Sequence, residues 1–203
     1  MVAPLQRIRK WRLNREIERR YQELSRSYEG LRNQVRRGTS TLESILTNIE
    51  ENISRGEITN TFIHLDSFPG FFRTYNLAAL YLLVLAHTSA SLFFRYLDQM
   101  RELEYSREEI REKLALFIRT GYLALRHYRN YCNRVKEIIG GIYHCIDEML
   151  ARVRGREELE RRLVGYREAI ERDWKNLVRG RVYNYISRLL FLARISLQQR
   201  EYL

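Results

Sequence analysis

The sequence predicts an all-α helical bundle with a long basic N-terminal helical arm. Three observations carry that class. Only two Pro and ten Gly among 203 residues leave few places to break a helix. Apolar residues recur at spacings of three and four, and the alternating pattern of a half-buried strand is absent. Leu, Arg, Glu, Ile and Tyr dominate the composition. A chain of this length sustains one good core and does not demand two domains. The expected organisation is a basic helical arm over residues 1–38 and a single bundle over 39–203.

The first helix is expected to start after Pro4, a residue suited to a first turn, and to run to Arg37. Ile17, Tyr21, Leu24, Tyr28, Leu31 and Val35 give it a heptad-like seam. Before Ile17 the register is lost, as Leu5, Ile8, Trp11 and Leu13 alternate with bases, so this stretch reads as an arm that orders on a partner. Gly38 is the expected terminator. Ser40 and Glu43 fit a capping box for a second helix, with Leu42, Ile45, Leu46, Ile49 and Ile53 on one face, ending near Gly56.

Residues 57–75 are the least regular part, with Phe62, Ile63, Leu65, Phe68, Phe71 and Phe72 around Pro69-Gly70. So many aromatics imply a segment that packs down, on its own core or on a neighbouring subunit. A third helix over Leu77–Leu103 contains no charge from Leu77 to Ala86. An all-round apolar helix belongs in a core, an interface or a membrane. A span needs about 20 mostly apolar residues, and His87, Thr88, Ser89 and Ser91 interrupt this run after ten, so a buried core helix is expected, with His87 a hydrogen-bonded core histidine.

Ser106 and Glu109 form a second capping box, opening a helix expected to end at Gly140-Gly141. A short helix follows to about Val153. Cys132 and Cys145 flank the glycine pair, and two buried thiols are expected rather than a disulfide. A further helix spans Glu157–Arg179, with acids early and bases late to match the helix dipole. The last, from Val182 to about Gln199, is almost wholly apolar and needs a groove, another subunit or a lipid surface.

Charge is segregated. The net charge is +11, and residues 1–37 carry ten Arg and one Lys against four Glu, a net of +7. Residues 151–203 carry +6, and the middle is −2. Arginine outnumbers lysine 32 to 4, and its planar fork suits phosphate oxygens. Basic ends point to a polyanionic partner. The residues expected to contact it are Arg7, Arg9, Lys10, Arg12, Arg15, Arg19, Arg20, Arg26, Arg36 and Arg37, with Arg15, Arg19 and Arg26 opposite the apolar seam. Subunit contacts are expected from Phe68, Phe71, Phe72, Tyr185, Leu189, Phe191 and Leu192.

No catalytic chemistry is legible. P-loop, dinucleotide-binding, nucleophile-elbow and zinc-protease motifs are absent, and four scattered histidines make no metal-ligand spacing. No cofactor, metal or enzymatic activity is expected. The basic residues near the start precede no apolar run, so no secretory signal is expected. Base-reading motifs are absent too, which points to sequence-independent backbone binding.

A helical bundle carrying the basic extension Leu5–Arg37, with Arg in place of Lys, resembles in type the major coat proteins of filamentous viruses of hyperthermophilic archaea. That resemblance implies paired coat subunits, alike or different, which wrap double-stranded DNA in an A-like form. It also implies a helical virion assembled in the host cytoplasm, in some members under a lipid envelope. Two other readings stay open on the residues alone: a membrane-associated helical scaffold and a cellular nucleic-acid-binding regulatory bundle.

Overall fold

The computed structural model describes residues 4–198. Five helices follow one another: α1 (Pro4–Ser54), α2 (Ile58–Glu102), α3 (Arg107–Arg152), α4 (Glu157–Leu177) and α5 (Gly180–Gln198). The described residues contain no strand. The all-α class is therefore as the sequence predicts, but with fewer and longer helices.

The chain divides into two compact units, each made of four helical segments. One comprises residues 4–32 of α1, 81–102 of α2, 107–127 of α3, and α5. Its core joins Ile17 and Leu24 of α1 to Phe93, Tyr96 and Met100 of α2, Leu114 and Phe117 of α3, and Ile186 and Leu190 of α5. Phe117 lies at the centre, meeting Tyr21 edge-on at 5.9 Å and Tyr96 at 5.8 Å between ring centroids. The buried Ser89 hydroxyl donates to the Phe117 carbonyl, and the Tyr28 hydroxyl pairs with His127 Nδ1 at 3.1 Å.

The other unit comprises residues 33–54, 58–80 and 128–152 of the first three helices, and α4. Leu42, Ile49, Phe68, Phe72, Val135, Ile142, Leu163 and Ile170 form its core. Burying each such side chain is worth about 1.5–3 kcal/mol. Tyr128 donates to the Leu177 carbonyl at 2.7 Å, and Tyr131 donates to Asn76 Oδ1 at 3.0 Å.

Three expected breaks are absent, each for a packing reason. Gly38 does not end α1. It is buried mid-helix, where an ideal Cβ would overlap the root of the Tyr75 ring, so glycine serves close approach and not termination. Ser40 and Glu43 consequently cap nothing: Ser40 accepts from Ser44, and Glu43 pairs with Arg134. Gly141 sits inside α3 against Leu46 in the same way, so the short helix expected from Ile142 is the end of α3.

The supposedly irregular 57–75 segment is the first part of α2, with Pro69 inside it. Proline in a helix interior costs about 3 kcal/mol. Here Phe62, Leu65, Phe68 and Phe72 place four buried side chains on one face around it, and the Phe68 and Phe72 rings stack at 5.7 Å. Apolar burial outweighs the proline. Cys132 and Cys145 share one unbroken helix, 13 residues or roughly 20 Å apart, beyond disulfide reach. Both thiols are free, and Cys132 is only half-buried where full burial was expected.

The apolar stretch over 77–86 is not enclosed all round. Leu77, Tyr81 and Val84 are half exposed, and α2 holds an 18-residue window apolar enough to cross a membrane, of which 50% is buried. His87 is exposed and stacks on Tyr185 at 6.3 Å, so it is not the core histidine expected. The real start signals are Ser106 and Glu109 before α3: Ser106 N–H donates to Glu109 Oε2 at 2.8 Å, and Glu109 N–H to Ser106 Oγ at 3.3 Å. These bonds hold the Glu109 carboxyl below its ordinary range. Gly155 at φ +85° makes the turn before α4.

Candidate nucleic-acid interface

The N-terminal residues are helical from Pro4, so they form no separate disordered arm. Leu13, Ile17, Leu24 and Tyr28 are buried and define the inward face of α1. At about 100° per residue, the spacing of three, four and seven puts Arg12, Arg15, Arg19 and Arg26 within one sector of about 60° opposite that face. All four are exposed. The stripe runs roughly 21 Å, over which a duplex presents on the order of 12 phosphates.

These arginines are weakly held. Among the described residues Arg12 and Arg26 make no ion pair. The Arg15 guanidinium lies over the Trp11 ring at 4.9 Å. Arg19 reaches Glu23 only at 3.9 Å, with both side chains about half exposed or more. Such a surface pair is worth at most about 1 kcal/mol, so a phosphate readily displaces it. Arg7 and Arg9 are exposed and make no ion pair among the described residues.

Four expected contacts lie apart from the stripe. Lys10 is half-buried: its Nζ donates to the Glu104 carbonyl at 3.0 Å and lies over the Tyr105 ring at 4.6 Å, while Tyr105 Oη donates to the Lys10 carbonyl at 2.8 Å. It fastens α1 to the α2–α3 turn, where Glu104 has φ 54°. Arg20 lies off the stripe and pairs with Glu23 at 3.0 Å. Glu16, on its flank, accepts from the Tyr96 hydroxyl at 3.1 Å, and burial with this carboxylate pushes Tyr96 up to about 12. Arg36 and Arg37 are exposed but belong to the second unit.

Among the expected subunit contacts, Phe68 and Phe72 are fully buried and offer no surface to a neighbour. Leu189 is half-buried, while Phe71, Tyr185, Phe191 and Leu192 are exposed. Sequence reading missed Val182, Tyr81 and Val84 as exposed apolar residues. The helical period carries the last two, since Leu77, Tyr81 and Val84 recur at spacings of four and three. Among the described residues, no group of three or more His, Cys, Asp or Glu is placed to hold a metal.

Comparisons with protein-family models, with curated proteins and with solved structures each return no match. What the geometry offers is a row of guanidinium groups along one outward face of α1, with a shallow, open depression beside Arg15 and Arg19 that Glu16, Glu18 and Gln22 also line.

Proposed function

We propose that this chain is a structural nucleoprotein, a coat protein whose copies polymerise helically and wrap double-stranded DNA through sequence-independent phosphate contacts. One observation carries the reading: the exposed stripe Arg12, Arg15, Arg19 and Arg26, opposite the buried seam of α1 and barely engaged within the chain. The apolar side chains left exposed elsewhere support the assembly half of it. The test is duplex affinity as a function of salt. Log Kd should rise steeply with log salt, equally for unrelated sequences. Replacing Arg15, Arg19 and Arg26 together by Ala should lower the slope by about 0.9 per contact, or about 2.7 in all. An unchanged slope, or a strong consensus site, refutes it.

A second reading rests on Leu5, Ile8 and Trp11, which are 72, 48 and 57% exposed and lie among bases. A basic helix with such residues also suits an anionic bilayer surface, as in a membrane scaffold. Vesicle binding that survives high salt while DNA binding fails selects that reading.

A further inference from the structure

In the first unit, α5 and the start of its α2 segment present six large apolar side chains to solvent. Tyr81 and Val84 come from α2; Val182, Tyr185, Phe191 and Leu192 come from α5. Their exposures run from 46 to 58%, on the order of 600 Å² of apolar surface in all. The His87–Tyr185 stack joins the two helices on one side of α5, where Leu192 lies within about 20° of Tyr185 and Val182 about 60° from it; Phe191 stands about 120° around, on the other flank. A stable interface buries about 800 Å² on each partner, and the five of these side chains other than Phe191, roughly 500 Å², supply over half of that.

The charges on this face are one-sided. α5 contains Arg181, Arg188 and Arg194 and no acid, and α2 has none between Asp66 and Asp98. Aromatic residues with Arg, and without Lys, Asp or Glu, are the composition of a protein–protein interface core. Apposing two such faces about a two-fold axis would set arginines against arginines with no carboxylate between them. A carboxylate-bearing seat is needed instead, and the chain has one. The outward face of α4 over residues 157–168 forms a shallow depression around exposed Val164 and Gly165, with Glu157, Glu160 and Glu168 against the single Arg161. Glu157 pairs loosely with Arg161 at 3.8 Å, Glu160 accepts from the Gly155 N–H at 2.7 Å, and Glu168 has no ion-pair partner among the described residues. Gly165 leaves open space for an inserted side chain.

We propose that the α2/α5 face docks a second copy of this chain, head to tail, with the α5 arginines and aromatics seated on the acidic outward face of α4 of the next copy. Two different patches that meet in this way leave one of each free, so the contact propagates as an open filament when its rotation does not close a ring. The inference rests on the assembly half of the proposed function and not on DNA binding.

Sedimentation velocity of the DNA-free protein tests it, from about 1 to about 100 μM, where modest contacts report. The wild type should associate with increasing concentration. Tyr185→Glu with Leu192→Glu should weaken association at least about tenfold, and so should Glu157→Lys with Glu168→Lys. The altered side chains are exposed or half-exposed, and unchanged circular dichroism checks the fold; if either variant misfolds, Tyr185→Ala or Gly165→Trp replaces it. The decisive arm mixes the two variants: each keeps the patch the other lacks, so a 1:1 mixture should give a closed heterodimer and no longer species. A wild type that stays monomeric, a mixture that does not pair, or vesicle flotation that consumes the α5 face in place of self-association overturns the proposal. DNA affinity and salt slope should be unchanged in the α5 variant, and self-association unchanged in the Arg15, Arg19 and Arg26 variant, so failure of one idea is separable from failure of the other.

Discussion

Replacing Gly38 by Ala tests whether α1 truly runs through the position where its sequence breaks. An Ala Cβ at 38 would overlap the Tyr75 ring at Cγ, Cδ1 and Cβ, the rooted part of that side chain, so backbone must move. Overpacking of this kind costs about 1–3 kcal/mol, and the rigid obstacle puts it near the upper end. The gain in helix propensity returns about 1 kcal/mol, leaving a net loss of about 2 kcal/mol. Gly30 is the internal control. It lies in the same helix, is exposed, and meets nothing within 4 Å, so Gly30→Ala should stabilise by about 1 kcal/mol. The two variants should differ by about 3 kcal/mol, or roughly 6–12 °C in Tm at this chain length, read by circular dichroism melting. Adding Tyr75→Ala should turn Gly38→Ala from destabilising to neutral or better, because the obstacle is gone. A helix terminator would also resist Ala, but Tyr75→Ala would not relieve it. Gly38→Ala as stable as Gly30→Ala, or a penalty that persists without Tyr75, refutes the continuous helix.

Two further outcomes are expected. Burial pushes both thiols up to about 11 from 9.0, so near pH 8 each carries about a hundredfold less thiolate than an unburied cysteine; alkylation should be slower by a similar factor and no internal disulfide should form on oxidation, and a fast-reacting thiol contradicts the packing around α3. Ser106→Ala should cost about 1 kcal/mol at neutral pH by removing the cap of α3. Because Glu109 titrates lower folded than unfolded, its contribution is present above the ordinary carboxylate range and fades as pH falls through its depressed value; Glu109→Gln removes the carboxylate, so it should lose less stability on acidification than the wild type, and parallel acid titrations of the two would refute the capping box.

Local sequence carried the fold class and the helix faces, since periodicity is written in every turn. Ile17, Leu24 and Tyr28 are buried as their spacing requires, and Arg12, Arg15, Arg19 and Arg26 face outward. What sequence misjudged was punctuation. Gly38, Pro69 and Gly141 carry strong local stop signals, yet each sits where a partner helix presses against the chain or four buried side chains surround it. Tertiary packing decided those positions, and no local rule contains it. The same limit explains Lys10, which composition assigns to phosphate and the Glu104 carbonyl claims. It also explains Phe68 and Phe72, whose aromatic density signals an interface but whose stacking fills a core.

Electron microscopy of the protein mixed with linear duplex DNA at low salt reaches the central claim most directly. If outward guanidinium groups coat the polymer while the remaining faces join copies, micrographs should show regular filaments whose length scales with that of the DNA. Discrete particles of fixed size on otherwise bare duplex would contradict it.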